Sequence, residues 1–204
     1  MKKIILTALV AVASLSASAQ VYVGGALGFQ SKTNEVTSTD KDGKQTTTNE
    51  SMSTFTLAPE IGYTINENWE AGIALNMEFK NKNQGNKIGG EVYGRYNFLK
   101  TGIASLFVEL AAGVYNEKQY ADEDGDPFLD KDGKETSVNG TIFGFGFRPG
   151  VKIALSDKVS LVAKTGLIGA QFANEKARQL GYDKSAFAIG VDNSAIKLGV
   201  YYSF

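Results

Sequence analysis

The stretch WEAGIALNMEFK, Trp69 to Lys80, alternates without a break. Trp69, Ala71, Ile73, Leu75, Met77 and Phe79 fall on one parity, and Glu70, Gly72, Ala74, Asn76, Glu78 and Lys80 on the other. Successive side chains of a strand point to opposite faces, so this period of two predicts a strand with one greasy and one polar face. Upstream, Phe55, Leu57, Ile61, Tyr63 and Ile65 oppose Thr54, Thr56, Glu60, Gly62 and Thr64. Downstream, the same alternation runs through 91–98, 105–115, 143–155, 160–167 and 196–204, and Val21–Phe29 adds a strand in front, which makes eight.

The connections differ in length. INENW (Ile65–Trp69), FLKTG (Phe98–Gly102) and LSDKV (Leu155–Val159) are short turns, whereas 31–52, 81–87, 116–140 and 173–193 are mostly longer and polar. Short turns at one end and long loops at the other describe an up-and-down barrel crossing an outer membrane. Each segment supplies the roughly 9–11 residues a tilted crossing strand needs. Trp69, Tyr63, Phe98 and Tyr202 stand near strand ends, where an aromatic girdle lies. A soluble barrel would alternate too, but it would turn the greasy rows inward. Eight strands leave an interior just wide enough for side chains, and eight rows of Phe, Tyr, Leu, Ile and Trp would overfill it. The polar rows, rich in Gly, Ala and Ser with a few long charged residues, fit a narrow lumen better.

The inward charges have both signs. Glu60, Glu109, Arg148 and Lys164 are expected near mid-height and Arg95 slightly lower. Unpaired charges sealed from water are costly, so a salt-bridged plug is expected; the alternative is a narrow ion path. Pro59 and Pro149 fall inside strands on the lipid-facing parity. Neither can donate to a ladder, so a bulge or kink is expected at each.

The chain has 204 residues, with neither Cys nor His. Disulfides, thiolate chemistry and imidazole bases are thereby excluded. Lys2 and Lys3, the apolar run Ile4–Leu15 and the triplet Ala17-Ser18-Ala19 have the order of a secretory signal peptide, 1–19. Without those two lysines, 19 basic residues (21 − 2) face 22 acidic ones, which is no signal for nucleic acid. No later apolar run reaches the roughly 20 residues of a membrane helix.

Lys44–Trp69 aligns without a gap on Lys134–Val159, ninety residues later, and DKDGK occurs at both Asp40–Lys44 and Asp130–Lys134. The barrel domain, 20–204, thus divides into four-strand halves of about 20–99 and 100–204. In both copies Asp-Gly favours a two-residue type I′ turn. Asp42-Gly43 and Asp132-Gly133 are then the tips of exposed hairpins, with Lys41 facing Lys44 and Lys131 facing Lys134. The loop 116–140 is strongly acidic, but the calcium-loop template of acids at one, three, five and twelve around Gly at six fails: a start at Asp122 puts Pro127 at six, and Gly133 or Gly43 at six puts Phe128 or Ser38 at one. Irregular divalent binding at Asp122–Asp126 stays open beside a plain solvated loop. AFAIGV (Ala186–Val191) can extend the last strand, with a bulge at Asp192-Asn193.

APEIGYTINENWEAGI (Ala58–Ile73), GFGFRPGVKIALSDKVSL (Gly144–Leu161) and the ending KLGVYYSF (Lys197–Phe204) resemble the small outer-membrane β-barrel family of OmpA/OmpX type, in the form common in Bacteroidota. The resemblance covers the whole chain after the leader. It implies a closed eight-stranded antiparallel barrel among outer-membrane lipids and lipopolysaccharide, with both mature termini periplasmic. It also implies that the barrel-insertion machinery reads Phe204, with Tyr202, Val200 and Leu198 on the same face. Enzymes of this size class use a catalytic His, which is absent here. The expectation is therefore a monomeric, non-enzymatic barrel without cofactor or metal. It acts structurally or by surface interaction through its extracellular hairpins, on a ligand the sequence does not name. The alternative is a narrow channel for ions or small solutes.

Overall fold

Every alternating segment forms a strand. The computed structural model describes residues 20–39, 45–80, 85–120, 127–190 and 196–204, with side chains described outside 32–52. The expected leader 1–19, Asp42-Gly43, Asp122–Asp126 and Asp192-Asn193 lie outside the described residues. In chain order the elements are β1 (Val21–Thr39), β2 (Gln45–Thr64), β3 (Trp69–Lys80), β4 (Asn86–Thr101), β5 (Ala104–Gln119), β6 (Val138–Ala154), β7 (Val159–Lys164), β8 (Ile168–Ala173), α1 (Glu175–Arg178), β9 (Ser185–Ile189) and β10 (Lys197–Ser203).

Neighbours pair antiparallel from β1 to β7, β10 pairs with β7, and β10 returns to β1 from Tyr22↔Ser203 to Leu27↔Leu198. The result is a closed eight-stranded barrel. β7 and β8 are two pieces of the seventh stave, lying along the lower and upper halves of β6. β9 pairs with β8 and carries the eighth stave upward, as AFAIGV suggested. The faces separate as the parity requires. Ile73, Leu75, Val92, Leu110 and Leu198 are each more than half exposed on the outer wall, while Glu60, Glu70, Arg95 and Glu109 are buried inside. A wall with so much apolar surface suits hydrocarbon rather than water.

Two of the short turns are built alike, ninety residues apart. In one, Ile65 N–H bonds Trp69 O, and Asn66 Oδ1 accepts from the N–H groups of Asn68 and Trp69. In the other, Leu155 N–H bonds Val159 O, and Ser156 Oγ accepts from Lys158 and Val159. The third turn is not FLKTG. β4 continues to Thr101, and a bulge between Asn97 and Leu99 leaves Phe98 and Leu99 both exposed on the outer wall. The chain reverses at Gly102-Ile103, with Gly102 at φ +54°, as suits glycine at the first central position of a type II′ hairpin.

The two DKDGK connections are hairpins, as expected, but in a different register. Most of 31–52 is strand, and β1 and β2 stay paired up to Thr39↔Gln45. That register is one residue off the pairing a two-residue turn at Asp42-Gly43 requires. The second copy shows the same offset and its cause. Leu129 pairs with Glu135, Gly133 N–H bonds Asp130 O, and Gly133 takes a positive φ of +73°. The tip is thus a three-residue loop, Lys131–Gly133, of the type I plus left-handed glycine kind. Asp130 Oδ1 holds it by accepting from Asp132 N–H and Lys134 N–H, both at 2.9 Å. The expected Lys131/Lys134 confrontation is thereby avoided.

The prolines differ. At Pro149 the predicted bulge is present: Thr165–Leu167, three residues, stand opposite Arg148 and Pro149, between Gly150↔Lys164 and Phe147↔Ile168. At Pro59 there is none. The β2–β3 ladder lacks pairs at Ala58 and Pro59 but resumes in the same register at Glu60↔Ala74, while pairing to β1 continues through Gly25↔Pro59. A parted ladder tolerates the missing N–H without an inserted residue.

The narrow lumen makes some inward positions intolerant of any side chain. A Cβ at Gly150 would lie 2.2 Å from Phe107 Cζ and 2.7 Å from Ala163 O, whereas one at Gly90 meets nothing within 4 Å. Gly150→Ala is expected to lower stability by about 1–3 kcal/mol, and Gly90→Ala to change it by under about 0.5 kcal/mol. Urea unfolding of the micelle-refolded chain, followed by Trp69 fluorescence, checks both.

Candidate functional site

Register sets charges of opposite sign side by side across four staves. Glu70 faces Arg95, Arg95 faces Glu109, and Glu109 faces Arg148. Arg95 is the hub. Its Nη1 donates to Glu70 Oε2 at 2.9 Å and its Nη2 to Glu109 Oε2 at 2.8 Å, with Glu60 Oε2 at 3.7 Å. Lys164 reaches across the barrel to Glu60 at 2.7 Å and to Glu109 at 3.1 Å. Arg148 grips both oxygens of Glu91, at 2.6 and 2.7 Å, in the fork geometry guanidinium favours, and touches Glu109 at 3.3 Å. Lys152 completes Glu70 at 2.6 Å. The structure therefore brings together all five residues singled out by parity: Glu60, Arg95, Glu109, Arg148 and Lys164.

An aromatic layer sits with this network. Tyr22, Phe107, Val162 and Tyr201 form one buried cluster, and Tyr22 and Tyr201 meet edge to face at 5.4 Å. Tyr22 and Tyr93 share a hydroxyl hydrogen bond of 2.9 Å, and Tyr201 O–H donates to Glu60 at 2.7 Å. The Arg95 guanidinium lies 4.4 Å from the Phe107 ring centre, so an aromatic ring covers its face while Nη1 and Nη2 bond the acids; its buried Nε has no hydrogen-bond partner among the described residues. Arg95, Glu109 and Phe107 are 0% exposed. Every stave contributes a side chain to this cross-section: Tyr22, Glu60, Glu70, Arg95, Phe107, Arg148, Lys164 and Tyr201 come from β1, β2, β3, β4, β5, β6, β7 and β10 in turn.

The mouth above the plug carries a second set of contacts. Glu117 accepts from Lys80, Gln119 and the Tyr182 hydroxyl, and Lys87 lies over the rings of Tyr115 and Tyr182. The segment holding Tyr182 is pinned to the rim. Asn174 Oδ1 accepts from Ala177 N–H at 2.8 Å and Thr141 N–H at 3.1 Å, and Ala177 and Leu180 are buried. Gly140 permits that docking, since a Cβ there would lie 2.4 Å from Ala177 Cα. Burial, with the Glu117 carboxylate beside it, pushes the Tyr182 phenol up. At the opposite rim, Leu198, Val200, Tyr202 and Phe204 all face outward. Phe204 N–H bonds Val21 O at 3.0 Å, so the chain's last residue is tied to its first strand.

Residues 4–204 match the family model described as the outer membrane protein beta-barrel domain. The chain belongs to that family. Among solved structures it is similar to Neisserial surface protein A (NspA), with a TM-score of 0.55 and 14% identity over 92% of this chain and 100% of that one. It is also similar to OprG of Pseudomonas aeruginosa, with a TM-score of 0.43 and 12% identity over 92% of this chain and 96% of that one. At such identities the likeness to NspA speaks for the fold alone. No curated protein sequence matches the chain.

For a member of this barrel family the lumen holds more than parity alone singled out. Glu70, Glu91, Lys152 and the hydroxyls of Tyr115 and Tyr201 all bond into the network. Their signal was present, because each shares the parity of the charged residues already named; what the sequence lacked was the pairing register. Removing the hub leaves Glu70 and Glu109 each short of a partner. Breaking one side of a buried pair costs about 3–5 kcal/mol, so Arg95→Met is expected to lower urea stability by that order. Lys158→Met, at a solvated turn, should leave it nearly unchanged.

Proposed function

We propose that this barrel is a non-enzymatic surface-interaction protein with a sealed lumen, acting through the hairpins that rise from its long-loop rim. The carrying observation is the cross-section at Arg95, where buried charges and rings from all eight staves meet. A pore needs a continuous wet path, and a lumen of this size has none to spare once those side chains fill it. The short-turn rim, with both ends of the mature chain, faces the periplasm. The β1–β2 hairpin and the Asp130–Lys134 tip then stand outside the membrane, as a monomer's contact surface for lipopolysaccharide or another cell-surface ligand, by strand addition or by charge.

The refolded chain in planar bilayers is expected to give no stable single-channel steps. Reproducible, ion-selective steps would overturn the sealed-lumen reading in favour of a narrow channel. The outward row Leu198, Val200, Tyr202 and Phe204 supports recognition by the barrel-insertion machinery. Deleting Phe204 is therefore expected to reduce the folded band that unheated outer-membrane samples show on gels, and an unchanged folded yield would remove that role.

A further inference from the structure

Above the plug, the outer half of the lumen holds a cavity of about 240 Å³. Gln30, Thr56, Glu78, Arg148, Lys164 and Lys197 are among its lining residues. Its charges do not balance locally. Lys197 stands directly opposite Lys164 across β10 and β7, and like charges so placed repel. Lys164 is satisfied by Glu60 and Glu109, and Arg148 by Glu91 and Glu109. Glu78, the acid of the lining, lies 4.0 Å from Lys87. The Lys197 ammonium donates to a neutral atom, Asn76 Oδ1 at 2.7 Å; Glu91 and Glu78 act on it only through space, and among the described residues no carboxylate comes within 4.0 Å of it.

A neighbouring amide has the same need. Asn76, 4% exposed, holds Lys197 through its Oδ1 and turns its amide group toward the Glu91 carboxylate, but the buried Gln30 Nε2 has no hydrogen-bond acceptor among the described residues. Buried donors without acceptors destabilise a fold, and a barrel with this much choice of small inward residues has no packing reason to keep them. An ammonium with spare donors and the orphan Gln30 amide donor, both lining one cavity, call for an oxygen acceptor, and the surplus cation calls for a negative one.

We infer that this cavity binds a small monocarboxylate. The carboxylate accepts from the Lys197 ammonium and the Gln30 amide, Asn76 holds the ammonium in position, and the hydroxyl-bearing wall of Thr54 and Thr56 takes the rest of the molecule. One surplus cation matches one negative charge; a dianion would leave an excess beside Glu78. The volume suits a small organic acid, since a water takes about 30 Å³ of the liquid. The site lies above the plug, so it does not depend on whether the hairpins bind a surface ligand.

Sodium acetate titrated at constant ionic strength into the ¹⁵N-labelled chain, refolded in micelles, tests this. The side-chain amide signals of Gln30 and Asn76 are expected to shift together and saturate with one dissociation constant. Lys197→Met should weaken that constant about tenfold or more, the size of losing one charged hydrogen bond, and Lys158→Met should leave it unchanged. If Lys197→Met does not give a folded band, Gln30→Leu serves as the second variant, read at Asn76. Shifts that are absent or rise linearly without saturating would overturn the site, as would a Lys197→Met protein that titrates like the parent. Sulfate saturating more tightly than acetate would overturn the monocarboxylate assignment.

Discussion

Hydrocarbon offers the backbone no hydrogen-bond partners, so a strand edge left open inside a membrane is too costly to keep. In this chain that constraint is met by joining the two ends: β10 zips onto β1 from Ser203↔Tyr22 to Leu198↔Leu27. Closure at eight staves fixes a narrow lumen. A narrow lumen, in turn, makes side chains from opposite walls touch. Lys164 on β7 and Glu60 on β2 are far apart around the ring yet 2.7 Å apart across it. Charge pairing in the interior is thus a consequence of closing the wall, not an addition to it.

Buried ion pairs are weak contributors to net stability, because desolvation offsets most of their attraction. Their leverage here lies in register. A slip of one residue in β4 would send Arg95 and Glu91 into lipid and bring Val92 and Gly94 into the lumen. Glu70 and Glu109 would lose their common partner in the same step. Apolar rows alone penalise such a slip through area; the network penalises it through several uncompensated charges at once.

The wall was legible in the sequence because parity is a local property, and each strand from WEAGIALNMEFK outward displays it. The misreadings fall where local and non-local signals part. FLKTG looks like a turn because Phe98-Leu99 breaks the alternation, but a bulge absorbs the break, and only the partner strand β5 reveals it. Asp-Gly suggests a two-residue turn, yet the Asp130 carboxylate, accepting two backbone N–H groups, selects a three-residue tip. Pro59 and Pro149 have the same local sequence role, but only Pro149 lies where the facing stave changes from β7 to β8. In the lumen, the side of each charge was readable and its partner was not, since Glu91–Arg148 and Glu70–Lys152 join residues that no sequence period relates. The orphan amide of Gln30 was invisible for the same reason.

The ninety-residue repeat makes the pairing more than incidental. In a ring of eight, β2 and β6 stand four staves apart, on opposite walls, and so do β3 and β7. A faithful duplication would set each charge against its own copy across a dry lumen. The wall and the turns do keep the repeat, down to Asn66 and Ser156 capping equivalent turns. The lumen does not. Glu60 corresponds to Gly150 and Glu70 to Ser160, while Arg148, Lys152 and Lys164 correspond to Ala58, Gly62 and Ala74. Each of these five charges meets a small residue at the place ninety residues away. Of these five, the acids stand on β2 and β3 and the bases on β6 and β7, so the space one half vacates there is filled by the opposite charge from across the barrel. Like-charge repulsion in a narrow, low-dielectric interior is sufficient reason for the halves to be alike outside and complementary within.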